Sequence, residues 1–382
     1  MILFEVQILR AAAALMVVWH HARHEAGLLA TRGAGPALDP GTVLPWWGGV
    51  DLFFVISGFV IVHASGKLFG APGGRARFLA HRAARVVPLY WLVSLVFLAL
   101  ALARPDLLGD TAALVSKPGT ILVGFLFWPA TRPDGTIQPF YGLGWTLNYE
   151  AFFYGLFAIG LGFGRRGAVA WLALALVTLV TVGTLVPGLP VPIRFWANPI
   201  VLEFLLGAGL ALAYRDGFRP SGTLRLGLAS SGLLGLVLAA RMLVGDGAGD
   251  GFLRPLLVGV PACLLVAAAL GPERDAAQAA ALPVPMRGLV FLGNASYALY
   301  LVHPFALRFG REVLVRLSLA PALHPWGSLA VLVAASVVAA LLVHRFVERP
   351  LTRWARAVLD PGRAQNRVRA APTPVPPGRR AD

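Results

Sequence analysis

Arg10 and His21 are the first side chains along the chain whose types and spacing could do chemistry together. They lie eleven residues apart in one apolar run. At about 100° per residue, eleven steps return to within about 20° of the starting face, with a rise of about 16 Å. One helix face therefore carries a fixed cation and, further along, a base that titrates near neutral pH. A charge at the centre of a bilayer costs about 2.5–3.5 kcal/mol on insertion scales, so each such residue asks for a reason. Glu150 sits early in a later apolar run, within Gly144-Trp145-Thr146-Leu147-Asn148-Tyr149-Glu150. It is expected at about the depth of His21, where a carboxylate would fix the imidazole tautomer and support its protonated form. The competing reading is a carboxylate that neutralises an interior arginine. Trp145 and Asn148 of the same motif are candidate substrate-binding groups. Asp51 opens another run at a similar depth, either as a charge that complements a helix N-terminus or as a further substrate-binding group. Glu203 is read equally as one half of an interhelical pair.

Arg77, Arg82 and Arg85 precede a third run and can gather on one segment. Arginines grip phosphate bidentately, although positive charge beside a membrane span is also a plain topology signal. His20, His21 and His24 have spacings that permit a shared zinc ion. No Glu-x-x-His or His-Glu-x-x-His pattern accompanies them, so no metal is expected. The single cysteine, Cys263, sits in an apolar run and is read as filler, with nothing nearby in sequence to lower its pKa. Ser57 lacks the Gly-x-Ser-x-Gly elbow of an activated nucleophile.

The elements that must position these groups follow from composition. The 382 residues are 57% hydrophobic and 13% charged, whereas a soluble globular chain has about 25% charged residues. That surplus of apolar surface must face lipid. Spans of about 20 residues fall at about 3–22, 47–65, 86–103, 143–163, 168–186, 198–214, 224–243, 253–270, 289–307 and 327–346. The expected fold is all-α, a polytopic membrane bundle of about ten transmembrane helices. Segment 120–128 is apolar but too short to cross and is read as re-entrant or interfacial. The first run carries Arg10 and two histidines and no cleavage site, so it reads as a retained helix and not a signal peptide. With the N-terminus inside, the cytoplasmic segments hold 21 Lys and Arg against 11 in the outer loops, consistent with N-in and C-in. The formal charge of +15 is thus a topology signal with anionic lipid as its default partner, and no nucleic-acid partner is expected. Residues 1–356 form the membrane domain, and the basic, Pro-rich residues 357–382 are expected to be a disordered cytoplasmic tail.

The same segments closely resemble the acyltransferase-3 family. The matches are Gln7-Ile8-Leu9-Arg10 with His21 eleven residues on; Gly49-Val50-Asp51 through Ser57-Gly58-Phe59; Arg82-Ala-Ala-Arg85-Val-Val-Pro88-Leu-Tyr90-Trp91; and Gly144 through Tyr154. They continue with Glu203-Phe-Leu-Leu-Gly207, Leu292 through His303-Pro304, and Val347-Glu348-Arg349-Pro350. They run in order from residue 7 to 350, and the Trp-Thr-Leu-Asn-Tyr-Glu and Val-His-Pro forms look most like the exopolysaccharide-production branch. The resemblance implies ten-helix enzymes of the bacterial inner membrane that move an acyl group, commonly acetyl from acetyl-CoA, onto extracytoplasmic carbohydrate. It carries the catalytic pair onto Arg10 and His21, the donor-binding arginines onto Arg82 and Arg85 (with Arg10 assisting), and the family's glutamate onto Glu150. One departure is His81, where many relatives have a second arginine beside Arg82. The expected activity is O-acyl transfer from acyl-CoA to a hydroxyl of a polysaccharide or its lipid-linked precursor, with His21 as general base. Two other classes compete: a transporter or flippase of a lipid-linked saccharide, and a scaffold for a polysaccharide synthase.

Overall fold

A computed structural model of the chain describes residues 3–31, 43–104, 114–115, 117–243, 251–275, 277–278 and 281–360. Among the described residues the protein is all-helical, with one isolated β-bridge between Thr131 and Ile137. The principal helices are α1 (Phe4–Thr31), α2 (Gly49–Ala64), α3 (Gly74–Ala103), α4 (Pro118–Phe125), α5 (Trp145–Gly160), α6 (Arg165–Leu185), α7 (Val191–Trp196), α8 (Leu202–Arg215) and α9 (Gly222–Met242). A π-turn at Pro255–Gly259 leads into α10 (Val260–Ala268), followed by α11 (Val284–Asn294), α12 (Ser296–Arg316) and α13 (Ala320–Val343). A second π-turn, His344–Glu348, leads into α14 (Arg349–Leu359).

Five helical stretches are long and apolar enough to cross a membrane by length and composition: Trp46–Ala64, α3, α6, α9 and the continuous Ala320–Leu359. The pair α11 and α12, bent by 79° at Ala295, makes a sixth if taken as one broken span. The remaining expected runs also fold as helices, and there is a physical reason why they miss the same test. Helix α1 carries Arg10 and three histidines, while α5, α8 and α10 are only 16, 14 and 9 residues long. Burial differs between the helices: α6 and α9 leave most of their surface exposed, whereas α2 and α5 are largely buried. Helix α4 folds back beside α3, where Tyr90 and Trp91 donate to the carbonyls of Gly124 (3.1 Å) and Phe125 (2.9 Å). Two expected boundaries shift. The first helix continues past 22 to Thr31, and the C-terminal one runs on to Leu359, three residues into the expected tail. The rest of that tail, from Pro361, lies outside the described residues.

The centre of the bundle is the crossing of α2 and α8. There two glycines remove the side chains that would hold the backbones apart. A Cβ at Gly58 would stand 2.0 Å from the Phe204 carbonyl oxygen, and one at Gly207 would stand 1.9 Å from that of Val55. Those neighbours are backbone and cannot swing aside. Gly207→Ala is therefore expected to destabilise the bundle by about 1–3 kcal/mol, the usual cost of overpacking, read as a lower midpoint of thermal aggregation in detergent. The same change at Gly209, which meets nothing within 4 Å, should leave that midpoint unmoved. Around the crossing, Phe54, Phe153 and Phe204 stack at centroid distances of 4.5 Å, which fixes α5 against α2 and α8.

Candidate active site

Three helices bring three arginines and one glutamate around a single internal cavity of about 110 Å3. Arg10 comes from α1, Arg82 and Arg85 from the first half of α3, and Glu150 from α5; Ser57, Tyr154, Ser296, Tyr297 and Tyr300 complete the polar wall. Each arginine is placed by its helix. Arg10 Nη2 donates to Ser296 Oγ at 2.9 Å, at the start of α12. The Arg82 guanidinium lies over the rings of Phe78 (5.5 Å) and Tyr154 (6.0 Å), and its Nε is buried with no hydrogen-bond partner among the described residues. Arg77, expected beside them, is exposed on the outer face of α3.

A second, larger cavity of about 480 Å3 abuts the first, with Val50 and Tyr300 lining both. His20 and His21 of α1, Trp145 of α5, Gln138, Asn198 and Arg254 supply its polar wall. Tyr300 is held between the two cavities: its hydroxyl accepts from Thr146 Oγ1 (2.9 Å) and donates to the Leu143 carbonyl (3.0 Å). His21 Nδ1 lies 2.9 Å from the Val17 carbonyl one turn earlier. A carbonyl only accepts, so Nδ1 carries the hydrogen and the neutral ring keeps its lone pair on Nε2.

This geometry corrects the expected pairing of Glu150 with His21. The two line different cavities, His21 takes its tautomer from the backbone of its own helix, and Glu150 Oε1 instead accepts from Ser57 Oγ at 3.0 Å. Glu150 is the acid among the arginines, which was the competing reading. Asp51 is also reassigned. It is fully buried, and both its oxygens accept from Arg254, Nε to Oδ1 at 2.8 Å and Nη2 to Oδ2 at 2.9 Å. It is a structural counter-ion and not a group that meets a substrate. Glu203 lies beside this pair, packed against Gly259 of the π-turn, with both oxygens unpartnered among the described residues. Asn148 lines neither cavity; it is fully buried, and its side-chain amide makes no hydrogen bond among the described residues. Trp145 does reach the second cavity. Cys263 is half-buried against the main core. Among the described residues no three His, Cys, Asp or Glu side chains converge as a metal site needs.

Sequence reasoning passed over Ser296 and Tyr300 as site residues, although both sit in a motif it had marked. Their spacing, i and i+4, was the available signal, since it places them on one helix face. Arg254 gave no such signal, because its partner stands 203 residues away.

Apolar helices that enclose three arginines, a glutamate and two histidines around abutting cavities define an integral membrane protein with an internal polar site. The chain belongs to the acyltransferase-3 family: residues 3–345 match its acyltransferase domain. Among known proteins it is 33% identical over 310 residues to the exopolysaccharide production protein ExoZ of Rhizobium meliloti (strain 1021), covering 81% of this chain and 90% of that one. It is 29% identical to the acyltransferase MdmB of Streptomyces mycarofaciens, covering 80% of each. A protein of Rhizobium radiobacter, protein 2 in the picA locus, is 35% identical over 132 residues, 32% of this chain and 62% of that one. No solved structure matches. The protein is an acyltransferase.

Proposed function

We propose that the protein is an O-acyltransferase of the bacterial inner membrane, with ten spans and both termini in the cytoplasm. On this reading it moves an acyl group, acetyl by preference, from cytoplasmic acyl-CoA to a hydroxyl of an extracytoplasmic polysaccharide or its lipid-linked precursor. The observation that carries the reading is the meeting of two cavities at Val50 and Tyr300, one lined by three arginines and the other by His21. Guanidinium groups suit the phosphates of a nucleotide thioester, and Arg82 and Arg85 bring two of them to the cavity from one helix. The first cavity, at about 110 Å3, is a few water volumes in size. It therefore suits the acyl-pantetheine tip, with the nucleotide lying outside it against Arg82 and Arg85. Arg10, held by Ser296, reaches a donor oxygen, and Glu150 with Ser57 balances the cluster's charge. The larger cavity suits a saccharide, with Trp145 as a ring to stack on and Gln138, Asn198 and Arg254 as polar contacts.

Transfer is direct. His21 Nε2 takes the proton of the sugar hydroxyl, the oxygen attacks the thioester carbonyl, the C–S bond breaks, and the proton passes to the departing sulfur. The ExoZ likeness supports an exopolysaccharide as acceptor. The test is the acetyl content and yield of extracellular polysaccharide, by proton NMR, in a deletion strain with and without the wild-type gene. Polymer made at normal yield but lacking acetyl groups upholds the reading. Loss of the polymer itself would mean a transporter or an assembly factor.

A further inference from the structure

His303 stands in the middle of α12, fully buried, with its ring centroid 5.0 Å from that of His21. Its Nδ1 lies 3.0 Å from the Leu299 carbonyl four residues earlier, so Nδ1 carries the hydrogen and the lone pair is on Nε2. That Nε2 is buried and has no hydrogen-bond partner among the described residues. The two neighbouring histidines are thus locked in the same tautomer by the same device, an i−4 carbonyl on their own helices. Filling the space between α1 and α12 does not require this. A leucine would fill it without leaving a buried acceptor unpaired, which is destabilising.

The chemistry proposed for His21 gives that acceptor a use. When His21 removes a hydroxyl proton it becomes an imidazolium within the bundle, and a neighbour that accepts a hydrogen bond from it stabilises that charge. We infer that His303 is a positioning residue for the acyl transfer, a neutral imidazole whose Nε2 shares the proton that His21 takes from the acceptor hydroxyl. The hydroxyl O–H breaks, an N–H forms on His21, and His303 accepts a hydrogen bond from it. When the thioester C–S bond breaks the proton goes to sulfur, and both rings end neutral. The titratable or charged groups around His303 are His20 and His21 on α1 and Tyr300 on its own helix, with Arg254 across the larger cavity and the Glu25–Arg311 pair two turns further along α12. Helix α13 turns Ser328, Ser336 and apolar side chains toward the bundle.

The inference rests on His21 as the base, and the experiment separates the two. Membrane vesicles from the deletion strain, carrying wild type, His21→Ala, His303→Leu or His303→Gln, receive radiolabelled acetyl-CoA. Label in the saccharide is followed against pH, with protein amounts matched by immunoblot. His303→Leu is expected to lower the plateau rate about tenfold or more, the worth of a hydrogen bond to a charged group. It should also move the acid limb to lower pH: without the acceptor His21 binds its proton less tightly and stays neutral further down. His303→Gln, whose amide oxygen can accept, should recover most of the rate. A wild-type rate and profile in His303→Leu would overturn the inference. So would a lower rate with an unmoved limb and no recovery in His303→Gln, which marks packing alone. If His303→Leu fails to accumulate, His303→Met serves for the same comparison. An active His21→Ala overturns the base itself, whatever His303 does.

Discussion

Acyl transfer by a His21→Ala variant should fall by about 10²–10⁴-fold, the range for removing a general acid–base group, while the protein stays in the membrane at its normal level. The two halves of this expectation come from different features. His21 lines the larger cavity and hydrogen-bonds to the backbone of its own helix. Its loss gives up the ring contact with His303 on α12 at 5.0 Å but no bond that holds α1 in its helical form, and alanine is the better helix former. The rate loss follows from position. On α1 the imidazole is about 16 Å beyond Arg10, on the side of Tyr300 away from the arginines, where a saccharide hydroxyl and a thioester carbonyl can meet. The measurement is label transfer from acetyl-CoA in vesicles, beside an immunoblot of the membrane fraction. His24, exposed on the same helix, supplies the control: His24→Ala should be fully active. Equal activity in both variants would remove His21 from the mechanism and leave the arginine cavity as a binding site only.

Much of this site was legible in the sequence because it is written along single helices. Arg10 and His21 could be placed on one face from their spacing, and Arg82 with Arg85 from theirs; the structure brings Arg10, Arg82 and Arg85 to one cavity and His21 to the next. The pairings between helices were not legible. Glu150 was assigned to His21 by depth alone, and depth does not say which way a side chain turns around its helix. The answer depended on Ser57, which α2 brings to Glu150 from 93 residues away. The same limit hid Arg254. Without it Asp51 could only be read as a helix N-terminal charge or a substrate contact. The helical class was readable from composition, but which runs are outer spans was not, since hydropathy is highest for α3, which carries Arg82 and Arg85, and lower for α9, the least buried of the candidate spans.

The Asp51–Arg254 pair carries the largest expected effect on stability. Asp51 is fully buried on α2, Arg254 nearly so at the entry to the π-turn before α10, and the two hydrogen bonds between them are the bidentate kind. Trp47 covers one face of the guanidinium at 4.7 Å. Removing one member of such a pair strands the other charge, which costs about 3–5 kcal/mol. Asp51→Leu is accordingly expected to lower the thermal midpoint in detergent sharply and to reduce the amount of protein in the membrane. Glu203 also acts on Arg254, but it shares none of these hydrogen bonds, so Glu203→Gln should cost far less. The double variant Asp51→Leu with Arg254→Met is the decisive comparison. Buried ion pairs replaced by apolar groups of similar volume are often as stable as before, and a methionine can lie against Trp47 as the arginine does. The double variant should therefore regain most of the stability that Asp51→Leu loses. Its activity then answers a separate question. Arg254 also lines the larger cavity, so a stable double variant that transfers acyl groups at the normal rate would make the pair purely structural. A stable but slow one would mean that the guanidinium, fixed by Asp51, also meets the saccharide.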